Sequence, residues 1–143
     1  MDHLILKGPI ALRTASTECW KCHAATPVHA LIAQAVLDGE ADAGADDLCR
    51  SFVYDVEEDD MPRQLASALE GLAANYRPTR SRTLGATVWA NRCTQCGALQ
   101  GAFFLHSEPD GPFFGGPDEC ETAGEERLVA QDNFSVKDAS YSL

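Results

Sequence analysis

Two C-x-x-C pairs, Cys19/Cys22 and Cys93/Cys96, restrict this chain more than any other feature of it. Two residues between cysteines let a tight turn aim both sulfurs at one point while the N–H groups of the turn face them. Four thiolates at ~2.3 Å in a tetrahedron are the preferred closed site of zinc, with no open position for water. Such a site is net negative, so nearby cations matter: Lys21 lies inside the first turn and Arg92 immediately precedes the second. Gly97, directly after Cys96, permits the positive φ that a turn of this kind needs. In the sequence 70 residues separate Cys22 from Cys93. Compact zinc sites have ~15–20 between their pairs, so a shared metal requires an inserted segment.

The segment Cys93-Thr94-Gln95-Cys96-Gly97, set between two strand-like stretches, resembles a zinc-ribbon knuckle, and Cys19-Trp20-Lys21-Cys22 resembles its partner. The pattern Glu18 to Cys22 followed by Gly101-Ala102-Phe103-Phe104-Leu105-His106 is also similar to small bacterial zinc-ribbon proteins with no assigned role. In that superfamily two knuckle-bearing hairpins share one metal. The resemblance covers about a third of the chain, around the knuckles. It implies one structural Zn2+ held by Cys19, Cys22, Cys93 and Cys96.

The same four residues admit other chemistry. Iron fits the same tetrahedron, as in rubredoxin-like sites. Redox-active dithiols are a further reading, with Trp20 beside Cys19, although no strand–helix context of the thioredoxin type surrounds the pair. Cys19-Trp20-Lys21-Cys22-His23 matches the haem-attachment string C-x-x-C-H, but attachment requires export. Zinc deaminases place H-x-E before P-C-x-x-C. Here His106-Ser107-Glu108 follows Cys93/Cys96 and Arg92 stands in the proline position, so the order is wrong. There is no Ser/His/Asp order, Gly-rich phosphate loop or H-E-x-x-H to suggest an enzyme.

Around the pairs, the sequence predicts an α+β protein: a zinc-ribbon-like antiparallel β core with an inserted acidic helical segment. A single domain over 1–143 divides into a first knuckle half (9–37), an insertion (38–82), a second knuckle half (83–108), and a loop and polar tail (109–143). Thr26 to Ala33 reads as a strand, while 33–37 suits strand and helix equally. Phe52 to Val56 has strand chemistry. Asp59 or Asp60, then Pro62 and the face Leu65, Ala68, Leu69 and Leu72, mark the clearest helix, and Pro78 stops continuous structure beyond Arg77. Thr83 to Ala90 is expected to be a strand entering the second knuckle, and Ala102 to Leu105 the strand returning from it. Prolines and glycines over 109–117 make a loop, and the last twenty residues are expected to hold one short element and a frayed end.

The formal charge of −11 opposes attraction to phosphate backbones, although Arg77, Arg80, Arg82 and Arg92 keep a nucleic-acid-binding ribbon open as an alternative. The three arginines from 77 to 82 are read first as neutralising the acidic insertion. Asp55 to Asp60 reads as a solvated face or a docking patch for a basic protein partner. Trp20, Trp89, Phe103 and Phe104 are expected in the core or over the metal, and Phe113-Phe114 either tucks back or marks a binding surface. Cys49 and Cys120 read as reduced thiols, and His23 as an exposed neighbour of the ligands. No run of ~20 apolar residues suggests a membrane span, and Asp2 stands where a signal peptide carries bases, so the expected address is the cytosol. Together these readings point to a non-enzymatic zinc-binding adaptor, with a thiol or iron redox protein as the alternative.

Overall fold

The computed structural model describes residues 4–38, 50–117 and 125–142. Cys49 and Cys120 lie outside the described residues. Every strand pairing among the described residues is antiparallel, and the strands form three sheets.

The longest hairpin joins β2 (Ile10–Glu18) to β3 (Ala25–Ala33), with Glu18 opposite Ala25 at the end that carries the first knuckle. The last six residues of β3 are buried without alternation. It is the central strand of a five-stranded sheet, flanked by β2 and by β5 (Ser51–Tyr54), and a strand covered on both faces is apolar on both. The short segment after Gln34 resolves as β4 (Ala35–Asp38), which pairs with β1 (Leu4–Lys7).

Helix α1 (Arg63–Leu72) forms where expected and buries Leu65 and Leu69, while Leu72 remains 38% exposed. Its cap differs from expectation. Pro62 occupies the N-cap, and Asp60 sits in a preceding 3-10 turn (Glu58–Asp60), too far back to reach the first free N–H groups. The Asp60 carboxylate accepts instead from the backbone N–H groups of Lys137 and Asp138, at 2.8–3.2 Å. Pro78 does not interrupt the chain either: β6 (Tyr76–Ser81) runs through it, opposite Trp89. It lies on an edge strand, where a missing N–H costs no ladder bond.

The second knuckle is entered by β7 (Ala86–Arg92) and left by β8 (Leu99–Gln100). The returning strand is only these two residues. Ala102 to Leu105, expected as strand, belongs to helix α2 (Ala102–Ser107). A run of four apolar residues has no period of its own; here Leu105 and His106 turn inward onto Phe52 and Phe113, leaving Phe103 71% exposed.

The polar tail is also more ordered than expected. It supplies β9 (Glu125–Ala130) beside β2, β10 (Phe134–Val136) beside β1, and β11 (Ser140–Ser142) beside β5. Backbone pairing to distant strands orders residues whose side chains mostly face water. Arg50, the one base of the acidic stretch, and Arg13 both clasp Glu126 of β9. The two cations outweigh the upward push of burial and hold that carboxyl below its usual range. Residues from all three sheets meet in one core, where Leu6, Leu12, Val53, Leu65, Leu69 and Trp89 pack together. Val28, Ile32, Phe52, Leu105 and Phe113 form a second cluster.

Candidate metal centre

The two C-x-x-C turns are near copies of one another. In each, the first cysteine donates its N–H to a residue beyond the turn: Cys19 to the Ala24 carbonyl at 2.9 Å, Cys93 to the Ala98 carbonyl at 2.8 Å. Each turn then closes on that cysteine's own carbonyl, which accepts from His23 at 3.0 Å and from Gly97 at 2.9 Å. The closing residue is left-handed in both, with φ 64° at His23 and 77° at Gly97. Glycine adopts that conformation freely and histidine does so under strain. A backbone N–H also points at sulfur in each turn, from Lys21 to Cys19 Sγ and from Gln95 to Cys93 Sγ, both at 3.4 Å.

All four sulfurs lie within 4.8 Å of one another, and they are the only group of three or more potential ligands gathered in this way among the described residues. Two approaches cross between the knuckles, Cys19 Sγ to Cys96 Sγ and Cys22 Sγ to Cys93 Sγ, each 3.6 Å. A disulfide needs about 2.05 Å. A tetrahedron with ~2.3 Å metal–sulfur bonds has edges of about 3.8 Å, so the spacing fits a four-thiolate metal site. Cys19 and Cys93 are buried, whereas Cys22 and Cys96 face the surface.

The donors around the sulfurs separate the thiols. The Cys22 N–H, outweighing burial and aided by Lys21, Gln100 and Cys96, brings Cys19 down to about 6. The Cys96 N–H likewise lowers Cys93. At Cys22 the Ala24 N–H pulls downward, but burial and the three neighbouring thiols raise it to about 11. Cys19 and Cys93, the first cysteine of each turn, are thus held toward thiolate.

Several residues that position the cluster carry no motif. Gln100 is buried and donates from Nε2 to Cys19 Sγ at 3.3 Å and to the Ala98 carbonyl at 3.0 Å. Thr26 Oγ1 accepts from the Thr94 N–H at 3.1 Å, joining β3 to the second knuckle. Deeper in, the His29 N–H donates to Asn91 Oδ1 at 2.7 Å, and the Asn91 amide returns a bond to the His29 carbonyl at 2.9 Å. The Asn75 amide donates to the carbonyls of Pro27 and Arg92, so its Oδ1 accepts from His29 Nε2 at 2.8 Å. That fixes His29 as the neutral Nε2–H tautomer, with Nδ1 accepting from Thr14 Oγ1 at 2.8 Å. Burial, partly opposed by Asn75, lowers its pKa and keeps it neutral.

Other expected residues take different roles. Arg92 Nε donates to the Gly97 carbonyl at 3.2 Å and braces its own knuckle, whereas Lys21 supplies a backbone N–H. His23 stands outside the cluster, paired with Glu18 at 3.0 Å. Trp20 is not core: it is 64% exposed, and its indole N–H donates to the Leu99 carbonyl at 2.7 Å, bridging the knuckles. Trp89 is buried, Phe113 is buried, and Phe114 is exposed. Arg77, Arg80 and Arg82 are exposed and form no ion pair among the described residues, so the expected neutralisation is not seen there. No helix among the described residues is long and apolar enough to cross a membrane. Comparisons with family models, curated proteins and solved structures find no match to this chain.

Proposed function

We propose that the chain is a zinc-binding protein whose Cys19, Cys22, Cys93 and Cys96 hold one structural Zn2+, and that it works as a non-enzymatic adaptor for a protein partner. The observation that carries the metal reading is the meeting of four sulfurs from two matching turns at tetrahedral spacing. Zinc there ties together two hairpins distant in sequence and adds its binding free energy to folding. Four protein ligands leave no coordination position for substrate, which favours a structural role over hydrolysis. The layout is one domain over 1–143, as the shared core suggests.

The adaptor role rests on the surface beside the cluster. Trp20 and Phe104 are exposed along a groove of about 440 Å³ that Cys19 and Gln100 also line. Exposed aromatics gathered at one place are the usual mark of an interaction site. A cytosolic address goes with this reading, since a reducing compartment keeps the thiols available to metal.

The test is metal analysis of protein purified without added metal, with thiol titration before and after chelation. About one zinc per chain, with the four thiols released only on chelation, is the expected result. Iron in its place would replace the zinc reading with an electron-transfer one. Absence of metal with freely titrating thiols would overturn both.

A further inference from the structure

Against α2, lined by its Ala102, Leu105 and His106, lies a second polar site. The hydroxyl of Tyr76, the indole N–H of Trp89 and Nδ1 of His106 are all buried without a hydrogen-bond partner among the described residues. Their side chains are not scattered: all three line one internal chamber of about 10 Å³, enough for a single water. Asp55 lines the same chamber. It also lines a cleft of about 370 Å³ and a neighbouring hollow of about 210 Å³, so it stands where the three spaces meet.

Asp55 is held in the left-handed region, φ 57°, an uncommon state for a residue with a side chain. Burial pushes its pKa up, and no cation relieves it. Glu57 and Asp138 add two more carboxylates in the hollow. All eleven lysines and arginines of the chain fall within the described residues, and none lines the chamber, cleft or hollow. Apolar and aromatic side chains, among them Leu84, Leu99 and Phe103, share the cleft walls with the hydroxyl residues Ser81, Thr83, Ser107 and Ser140. The carboxylates do not gather as a metal-ligating group, which favours an organic cation over a bare metal ion.

We propose that this cleft binds an ammonium group carried on a short apolar body, with the nitrogen against the Asp55 carboxylate and the body against Leu84, Leu99 and Phe103. One water in the chamber links the ammonium to Tyr76, Trp89 and His106. An aromatic wall beside a carboxylate suits such a cation in both charge and surface. The proposal uses neither the cysteine cluster nor the adaptor reading.

The test is an NMR titration of the metal-loaded full chain at neutral pH, following the Trp89 indole N–H and the Asp55 amide. The probes are phenethylamine, its neutral analogue 2-phenylethanol, and Nα-acetyl-lysine methylamide. Saturable shifts with either amine, at least about tenfold weaker with the alcohol, are expected. A preference for phenethylamine indicates a free small amine, and a preference for the lysine derivative indicates a partner's side chain. Asp55→Asn should weaken amine binding by about tenfold or more, and asparagine tolerates the left-handed backbone well enough to keep the fold. No saturable shift, equal binding of the alcohol, or undiminished binding by the variant would each overturn the proposal. The alcohol comparison uses unaltered protein, so it decides the matter even if the variant folds poorly.

Discussion

His23 and Gly97 close equivalent turns with the same left-handed backbone, yet only one of them is glycine. A Cβ at Gly97 meets no backbone, its nearest contact being the Arg92 guanidinium at 3.7 Å, so the cost of Gly97→Ala comes from conformation alone. That substitution should destabilise by about 1 kcal/mol, and His23→Gly should be neutral or stabilising by a similar amount. Denaturant unfolding of the metal-loaded protein measures both. Opposite signs at the two sites would establish that strain, and not the His23–Glu18 pair, dominates the first turn. Gly111 differs in kind: a Cβ there would stand 2.0 Å from the Phe104 carbonyl oxygen, so even alanine forces α2 away from the loop that follows it.

Helix α2 is short, and its order comes from what His106 packs against. The imidazole stacks on Tyr54 with centroids 3.8 Å apart and meets the edges or faces of Phe52 and Phe113. Burial lowers its pKa from 6.5 to about 3. An unfolded chain takes up the proton first, so the folded state loses stability as pH falls from about 6.5 towards 3 and is unaffected above that window. Each pH unit inside the window removes up to about 1.4 kcal/mol. His106→Phe should flatten this slope between pH 6.5 and 4.5 in urea titrations, leaving the smaller part due to His29, whose pKa is lowered in the same direction. Helix α1 is anchored more simply. Leu65→Ala or Leu69→Ala removes a fully buried side chain and should cost about 2–5 kcal/mol by the same measurement.

Across the whole molecule, the cysteines join the five-stranded sheet, through β2 and β3, to the three-stranded sheet, through β7 and β8. The bonds between His29 and Asn91 join the same two hairpins a short way inside. Links that share two bodies are coupled and not additive. Asn91→Ala leaves the His29 N–H and carbonyl without these partners, and should cost about 1–3 kcal/mol for each group left unpaired. It should also speed loss of the bound metal to a chelator by about tenfold, which a chromophoric chelator reads directly. Equal rates of loss would mean that the two links act independently. Removing the chain after residue 133 should have a different effect: β1 and β5 lose paired neighbours and Asp60 loses its N–H partners, so thermal unfolding should become broader and less cooperative by circular dichroism.

Local chemistry was enough to place the two turns between strands, the glycine that closes the second, and the helix over Arg63 to Leu72. Each depends on neighbours within a few residues: two sulfurs on one turn, a positive φ, a stripe of leucines. Meeting of the turns across 70 residues was legible only as a requirement of shared metal chemistry. The rest needed the tertiary structure. Ala102 to Leu105 has no period that distinguishes strand from helix, and its partners Phe52 and Phe113 decided the outcome. The strands of the tail pair through backbone groups that every residue possesses, so nothing in their side chains announced them. Gln100, Asn75 and Asn91 are ordinary polar residues until folding buries them beside a sulfur or a strand. Burial then makes each hydrogen bond obligatory, because an unpaired polar group away from water is costly, and that cost depends on contacts no local pattern encodes.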